Sequence, residues 1–309
     1  MGRYAGIDCG TNSIRLLVAD VDDHGVAHDL VRRMEVVRLG EGVDKTGRLG
    51  EQALERTRKA LHAYAEDISE LNAEGIRMVA TSATRDADNA AEFAGMVRSI
   101  IGIEPEVISG DEEARLSYVG AMSRLPETDG LRLLVDTGGG STEFVTGHGD
   151  DVGAARSVQI GCVRMTERHL HSDPPAAGEV DAALLDITAA VDEALAAVMT
   201  GEKVGEFVAV AGTATTIAAV ALGLDKYDSE TIDGTRLSYS QVAEVTRDLA
   251  AMDVSARLAN PVMHPGRADV IVGGALILRT IMERANLSEM TVSEHDILDG
   301  ITVSVAERV

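Results

Sequence analysis

Apolar positions recur at two spacings along this chain, and the spacings alternate. Short apolar runs with period-two character predict strands at 4–9, 14–21, 32–38, 76–81 and 105–108. A second series follows at 131–136, 142–147, 153–159 and 207–211. Apolar residues three and four apart predict helices at 51–73, 90–100, 111–123, 179–199, 213–222, 240–251 and 267–284. Hairpin-like strand runs followed by strand–helix alternation make this an α/β chain. Phe207–Leu224 carries no charge over 18 residues, enough for a spanning helix. Gly212, Thr213, Thr215 and Thr216 interrupt it, and it reads as a buried strand, a loop and a helix start.

The pattern repeats. Residues 6–18, GIDCGTNSIRLLV, align with 133–145, LLVDTGGGSTEFV, so that Asp8 meets Asp136, Gly10 meets Gly138 and Ser13 meets Ser141. In the same order VATSATRDA (79–87) echoes VAGTATTIA (210–218). Two echoes in one order predict a duplicated domain. The turn-rich stretch Ser123–Gly130 separates the copies. The expected halves are 1–125 and 126–309, with a cleft between their matching loops; the last helix is free to pack back on the first half.

Composition narrows the function. With 51 acidic and 28 basic side chains the 309-residue chain carries a net charge of −23. It has no basic face for nucleic acid. The hydrophobic fraction, 45%, excludes disorder. Cys9 and Cys162 form no CxxC and no disulfide framework, and the N-terminus shows no apolar leader, so a reduced, cytoplasmic setting is expected. His24, His28, His62, His169, His171, His264 and His295 make no HExxH pattern, so zinc is not indicated.

The candidate chemistry lies in the repeated turns. Asp8-Cys-Gly10-Thr11-Asn12-Ser13 and Asp136-Thr-Gly138-Gly139-Gly140-Ser141-Thr142 each place an acid at a strand end before a glycine turn. Glycines let backbone N–H groups surround an anion, and Ser, Thr and Asn add donors. The strand-end aspartates can hold a divalent cation, usually through water. A hairpin turn is the plainer reading of either loop alone. Glu112, three residues after Ser109, reads as half of a capping box, which leaves Glu113 projecting from the first helical turn. Glu143 has two readings, a solvated strand residue or a second acid beside Asp136. Arg15 and Arg164 are weaker phosphate candidates, and Cys162 reads as a small buried residue.

These segments resemble the loops of the acetate and sugar kinase, heat-shock chaperone and actin superfamily. Within it the chain resembles the exopolyphosphatase and guanosine-pentaphosphate phosphohydrolase family. The matching runs are GIDCGTNSIRLLVA, RLGEGVDKTGRL, ATSATRDADN, VISGDEEARLSYVG, LLVDTGGGSTEFV, SVQIGCVRMTE, AGTATT and RADVIVGGALIL, in order and nearly end to end. The resemblance implies two duplicated ribonuclease H-like (actin-like ATPase) domains. It implies Glu113 as the base that activates water, Arg85 as a phosphate contact, and Asp136, Glu143 and Asp8 as the metal-facing acids. It also implies Mg²⁺, with Mn²⁺ as a substitute and room for a monovalent cation. The family's Ser-x-x-Gly-Leu-Arg-Glu-Gly run reads SEHDILDG here, with Asp296 for Gly and Leu298 for Arg. Longer members carry further helical domains; this chain resembles the short form, and short chains are the expected substrates.

The resulting expectation is an exopolyphosphatase that releases orthophosphate from polyphosphate ends, without nucleic-acid or membrane partners; the resemblance implies a homodimer. The nearest alternative is hydrolysis of guanosine pentaphosphate in the stringent response, with the same groups. A kinase is a further alternative, because Gly273-Gly274-Ala275 resembles the superfamily's adenosine segment. From another class, a non-catalytic alarmone- or polyphosphate-binding signalling protein would use the same loops.

Overall fold

A computed structural model describes residues 1–126, 128, 130–199 and 201–308. Glu127 and Asp129 of the expected linker lie outside the described residues. In chain order the elements are β1 (Gly2–Cys9), β2 (Ser13–Val21), β3 (Ala27–Val36), α1 (Val43–Thr46), α2 (Glu51–Glu70), β4 (Gly75–Ala80), α3 (Ser82–Arg85), α4 (Ala90–Ile101), β5 (Glu106–Val107) and α5 (Gly110–Met122). Next come β6 (Leu131–Thr137), β7 (Thr142–His148), β8 (Asp151–Val158), α6 (Cys162–His169), α7 (Ala177–Val198), β9 (Val204–Val210), α8 (Ala211–Ala221), α9 (Ser229–Ile232), β10 (Arg236–Ser238), α10 (Tyr239–Ala251), α11 (Val254–Leu258), α12 (Ile271–Arg284), β11 (Glu289–Val292) and α13 (Ile297–Ala306). They form two compact units. Unit 1 holds Met1–Arg124 with Asp296–Val309, and unit 2 holds Leu125–His295.

Each unit is built on one sheet, and the two sheets have one topology. Unit 1 orders its strands β3-β2-β1-β4-β5, and unit 2 orders them β10-β11-β9-β6-β7-β8. In both, three antiparallel strands are followed by parallel crossovers from the first strand of the hairpin: β1 beside β4, and β6 beside β9. The registers agree as well. Asp8 pairs with Val79 and Asp136 with Val210, the same positions that the sequence echoes align. This is the ribonuclease H-like arrangement, present twice.

Strand alternation sorts the core of unit 1. Ala5, Ile7, Cys9, Ile14, Leu16 and Val18 face Leu54, Leu61, Tyr64, Phe93 and Val97 on α2 and α4. Leu17, Ala19 and Val21 point to the other face and meet Leu298 and Val305 of α13. Helix α13 lies so close to α5 that a Cβ on Gly120 would stand 1.8 Å from the Asp296 carbonyl oxygen, and one on Gly300 would stand 2.1 Å from the Leu116 carbonyl oxygen. Only glycine fits at either contact. In unit 2 the strands β6 and β7 are buried along nearly their whole length, as a sheet covered on both faces requires.

Several elements differ from the sequence reading. No loop separates β9 from α8; Ala211 turns the chain at a left-handed φ of 67° and begins the helix directly. Helix α12 starts at Ile271 rather than 267, because His264–Val270 is taken up by turns. Helices α1, α3, α6, α9 and α11 and strands β10 and β11 were not anticipated, and α13 was expected only as a last helix without bounds. Among the described residues no helix is long and apolar enough to cross a membrane.

Candidate active site

The two repeated turns are built alike. Gly10 N–H donates to the Ser13 carbonyl at 2.9 Å, and Gly138 N–H donates to the Ser141 carbonyl at 3.1 Å, closing each hairpin. In unit 1 the Thr11 and Asn12 carbonyls accept from Gly40 and Arg38 N–H, both at 2.8 Å. In unit 2 the start of α6 does the same work. Cys162 N–H donates to Gly138 (3.0 Å), Val163 N–H to Gly139 (2.9 Å), and Arg164 Nε to the Gly140 carbonyl (2.7 Å). The fit is tight, since a Cβ on Gly161 would lie 2.4 Å from Gly139 backbone atoms. Turning the carbonyls to one side leaves N–H groups for the other: among the described residues those of Gly139 and Gly140 donate to no backbone carbonyl. Such a nest suits an anion.

A second tie joins each turn to the crossover strand. Thr11 Oγ1 and Ser82 Oγ share a hydrogen bond of 2.8 Å, and Thr213 Oγ1 donates to the Thr137 carbonyl at 3.4 Å. Ser82 and Thr213 are equivalent in the repeat. The hydroxyls of Thr84 and Thr137 are buried and have no hydrogen-bond partner.

The strand-end acids have different neighbours in the two units. Asp136 stands across from Glu143, and Glu143 from Ser157, whose hydroxyl donates to Glu143 Oε1 at 2.8 Å. Both acids are buried; Glu143 is 1% exposed, which removes the solvated reading. Buried like charges at one cross-strand position repel each other unless a cation is shared. In unit 1 the position of Glu143 is held by Arg15, across from Asp8. Arg15 was expected at the phosphates. Instead its Nε and Nη2 donate to Asp8 Oδ2 at 3.0 and 2.6 Å, and its Nη1 donates to Asp296. Burial raises the Asp8 pKa, with Arg15 opposing the rise. Burial works against the charge on Arg15, but Asp296 and Asp8 outweigh it and hold its pKa well above the usual value.

Helix α5 presents the candidate base. Ser109 Oγ accepts from Glu112 N–H at 3.2 Å, so the N-cap is as expected. The other half of the capping box is absent: the Glu112 carboxylate goes to the buried Arg77, whose Nη2 donates at 2.7 Å. Glu113 is 8% exposed, and its Oε2 lies 3.2 Å from Arg85 Nη1. The same nitrogen donates to the Ile108 carbonyl at 2.8 Å, while Arg85 Nη2 is buried with no hydrogen-bond partner among the described residues.

A divalent cation fits the acids of each unit taken separately. In unit 1 Asp8 Oδ1 is buried and accepts no hydrogen bond from the described residues; in unit 2 Asp136 with Glu143 offers hard oxygen donors on one sheet face. Among the described residues no cluster of three or more His, Cys, Asp or Glu could hold a metal ion unaided. An ion that keeps its waters and uses one or two carboxylates matches that pattern, as Mg²⁺ does. The glycine pair of the adenosine-like segment serves packing: a Cβ on Gly273 would come within 2.8 Å of the Cys162 carbonyl, and one on Gly274 within 2.6 Å of the Thr213 side chain. Cys162 is buried, and burial pushes its thiol up to about 11.

Two ribonuclease H-like units, each with an acid and a glycine turn at the head of its central hairpin, define a protein of the actin-like ATPase fold class. The chain belongs to the Ppx/GppA phosphatase family, whose model matches residues 17–309. It is 46% identical over 316 residues to Exopolyphosphatase 2 of Mycobacterium tuberculosis, covering 98% of each chain. It is 32% identical over 305 residues to the guanosine-5'-triphosphate,3'-diphosphate pyrophosphatase of Vibrio cholerae, covering 98% of this chain and 59% of that one. Among solved structures, the crystal structure of an Aquifex aeolicus Ppx/GppA family member superposes with a TM-score of 0.83 at 32% identity, over 99% of this chain and 98% of that one.

Proposed function

We propose that the protein is an exopolyphosphatase that hydrolyses terminal phosphoanhydride bonds of inorganic polyphosphate in the cytoplasm. The buried Asp136–Glu143 pair beside a glycine turn carries this reading, because it joins a cation seat to an anion nest. The 46% identity to a protein named exopolyphosphatase supports it over guanosine pentaphosphate, whose named relative stands at 32%. The packed Gly273 and Gly274 speak against the kinase alternative.

In this mechanism each unit offers a phosphate-binding turn, Gly10–Ser13 in unit 1 and Gly138–Thr142 in unit 2, with N–H and hydroxyl donors for phosphate oxygens. Asp136 and Glu143 would hold a Mg²⁺ ion, which supplies charge neutralisation on the phosphates when bound; Asp8 is the matching acid of unit 1. Glu113 orients a water in line with the terminal phosphorus and accepts its proton. The new P–O bond forms as the bridging P–O bond breaks, and orthophosphate leaves. Arg85 links recognition to that step. Glu113 and an arriving phosphate compete for one guanidinium, and the phosphate accepts a two-pronged contact that a single carboxylate oxygen at 3.2 Å does not match. As phosphate takes Arg85, its hydrogen bond to Glu113 is released, and Glu113 accepts the proton of the water. Such a site works by alignment and charge stabilisation.

The test is phosphate release with Mg²⁺ from a short polyphosphate, a long polyphosphate and guanosine pentaphosphate, using wild type and Glu113→Gln. Polyphosphate cleavage that falls about 100-fold or more in the variant supports the reading. Faster release from guanosine pentaphosphate would favour the alarmone alternative. No release from any of the three would leave a binding protein.

A further inference from the structure

Asp8 sits in a buried chain of charges that the repeat does not duplicate. Its Oδ2 takes both contacts from Arg15, at 3.0 and 2.6 Å, while its Oδ1 is buried and accepts no hydrogen bond from the described residues. The remaining nitrogen of Arg15, Nη1, donates to Asp296. Asp296 is 3% exposed and caps α13, accepting from Leu298 N–H at 3.0 Å through Oδ1. Asp299 accepts from Asp296 N–H at 3.1 Å and is held by Arg32 at 2.6 Å. One guanidinium therefore serves two carboxylates, and the Asp8–Arg15–Asp296 triad has a net charge of −1.

That sum matters because a buried arginine paired with a single aspartate would cancel it. With Asp8 alone, Arg15 would leave no net charge on this side of the turn, and an approaching cation would gain nothing from Asp8. Asp296 restores the negative charge. It also takes Nη1, while Nε and Nη2 of Arg15 bind Oδ2 of Asp8. The residue occupies the place where the sequence resemblance leads one to expect glycine, which could do neither.

We infer that Asp296 is a positioning residue: acting through Arg15, it keeps Asp8 oriented and its surroundings anionic for a divalent cation. This rests on the reading of Asp8 as cation-facing, and the experiment separates the two. Mn²⁺ alone, without substrate, is titrated into the full-length protein and free Mn²⁺ is read by electron paramagnetic resonance, with thermal unfolding measured in parallel. Asp296→Asn is the informative change, because asparagine keeps the helix cap and loses only the charge. It weakens Mn²⁺ binding about tenfold, the effect of removing one nearby charge in a partly shielded interior. Asp296→Glu restores binding to within about threefold of wild type, a rescue that a packing role alone would not give. If Asp8→Asn weakens Mn²⁺ binding but Asp296→Asn leaves it within about twofold of wild type, the inference about Asp296 fails, whatever happens to the melting temperature. If Asp8→Asn itself has no effect, Asp8 does not face the cation, and the reading beneath the inference fails first.

Discussion

Asp136 faces Glu143 directly across the β6–β7 pair, and both carboxylates are buried. Two like charges in that relation repel each other, and a divalent cation bound by both would relieve the repulsion. Replacing either acid by its amide therefore has opposite effects on stability and activity. Asp136→Asn and Glu143→Gln each raise the stability of the metal-free protein by about 0.5–1 kcal/mol and abolish most of the stabilisation that Mg²⁺ confers. Phosphate release falls by roughly two orders of magnitude or more. Thermal unfolding with and without Mg²⁺, beside a phosphate assay, checks all three. A variant less stable than wild type in metal-free buffer would show that the pair is satisfied from within the protein.

Arg85 holds Glu113 and the Ile108 carbonyl with one nitrogen. Methionine at this position removes the phosphate contact and leaves Glu113 without this cation. Arg85→Met lowers kcat/KM about 100-fold, chiefly through KM, and costs about 1–3 kcal/mol of stability through the lost hydrogen bonds to Glu113 and the Ile108 carbonyl. Lysine keeps the charge but not the planar fork, and recovers only part of the loss. Steady-state kinetics on both variants, with denaturant unfolding, make the comparison. A kcat defect with KM unchanged would move Arg85 from recognition to the chemical step.

Cys162 offers a test in pH. Burial raises its thiol from an ordinary value near 9 to about 11. Below the unfolded value both states keep the proton and the thiol contributes no pH dependence. As pH rises through that value the unfolded chain loses its proton first, so the folded state binds more protons and stability falls with pH until the folded thiol ionises. By roughly pH 10 the loss reaches about 1 kcal/mol. Cys162→Ala removes it, so the variant's stability falls less steeply than wild type between about pH 8 and pH 10. Parallel pH profiles for the two proteins would contradict the burial argument. The same shift keeps the thiol protonated at neutral pH, which accords with a packing role.

What the sequence revealed and what it hid follow from separation along the chain. The duplication was legible because Asp8 and Asp136 carry their turns with them, and the same alignment places Val79 beside Asp8 and Val210 beside Asp136. Helix α6 was hidden because Cys162–His169 is two turns long and only Cys162, Val163 and Met165 are buried. The bounds of helix α13 were hidden by its β-branched residues and Gly300, which weaken a helical pattern. Strand β11 is too short for any period to show. In the candidate site, the residue types and the capping Ser109 were readable, since they depend on neighbours. The partners of Arg15 and Glu112 were not: Asp296 lies 281 residues from Arg15, and Arg77 lies 35 from Glu112.

The net charge of −23 sets a final expectation about chain length. A polyphosphate end must approach a strongly anionic protein, and each further phosphate outside the site adds repulsion that the local donors do not offset. Repulsion of that kind is long-ranged and screened by salt, with a Debye length of about 10 Å at 0.1 M. Binding of the terminal phosphates at the turns is short-ranged and screened much less. Raising the salt from about 20 mM to 200 mM with Mg²⁺ held saturating should therefore lower KM for a long polyphosphate severalfold, and change KM for a chain of a few phosphates little. A local basic channel for the chain would give the opposite sign, because salt would then weaken the long substrate most. Initial rates on length-fractionated polyphosphate at the two salt levels decide between a repelling surface and an attracting one.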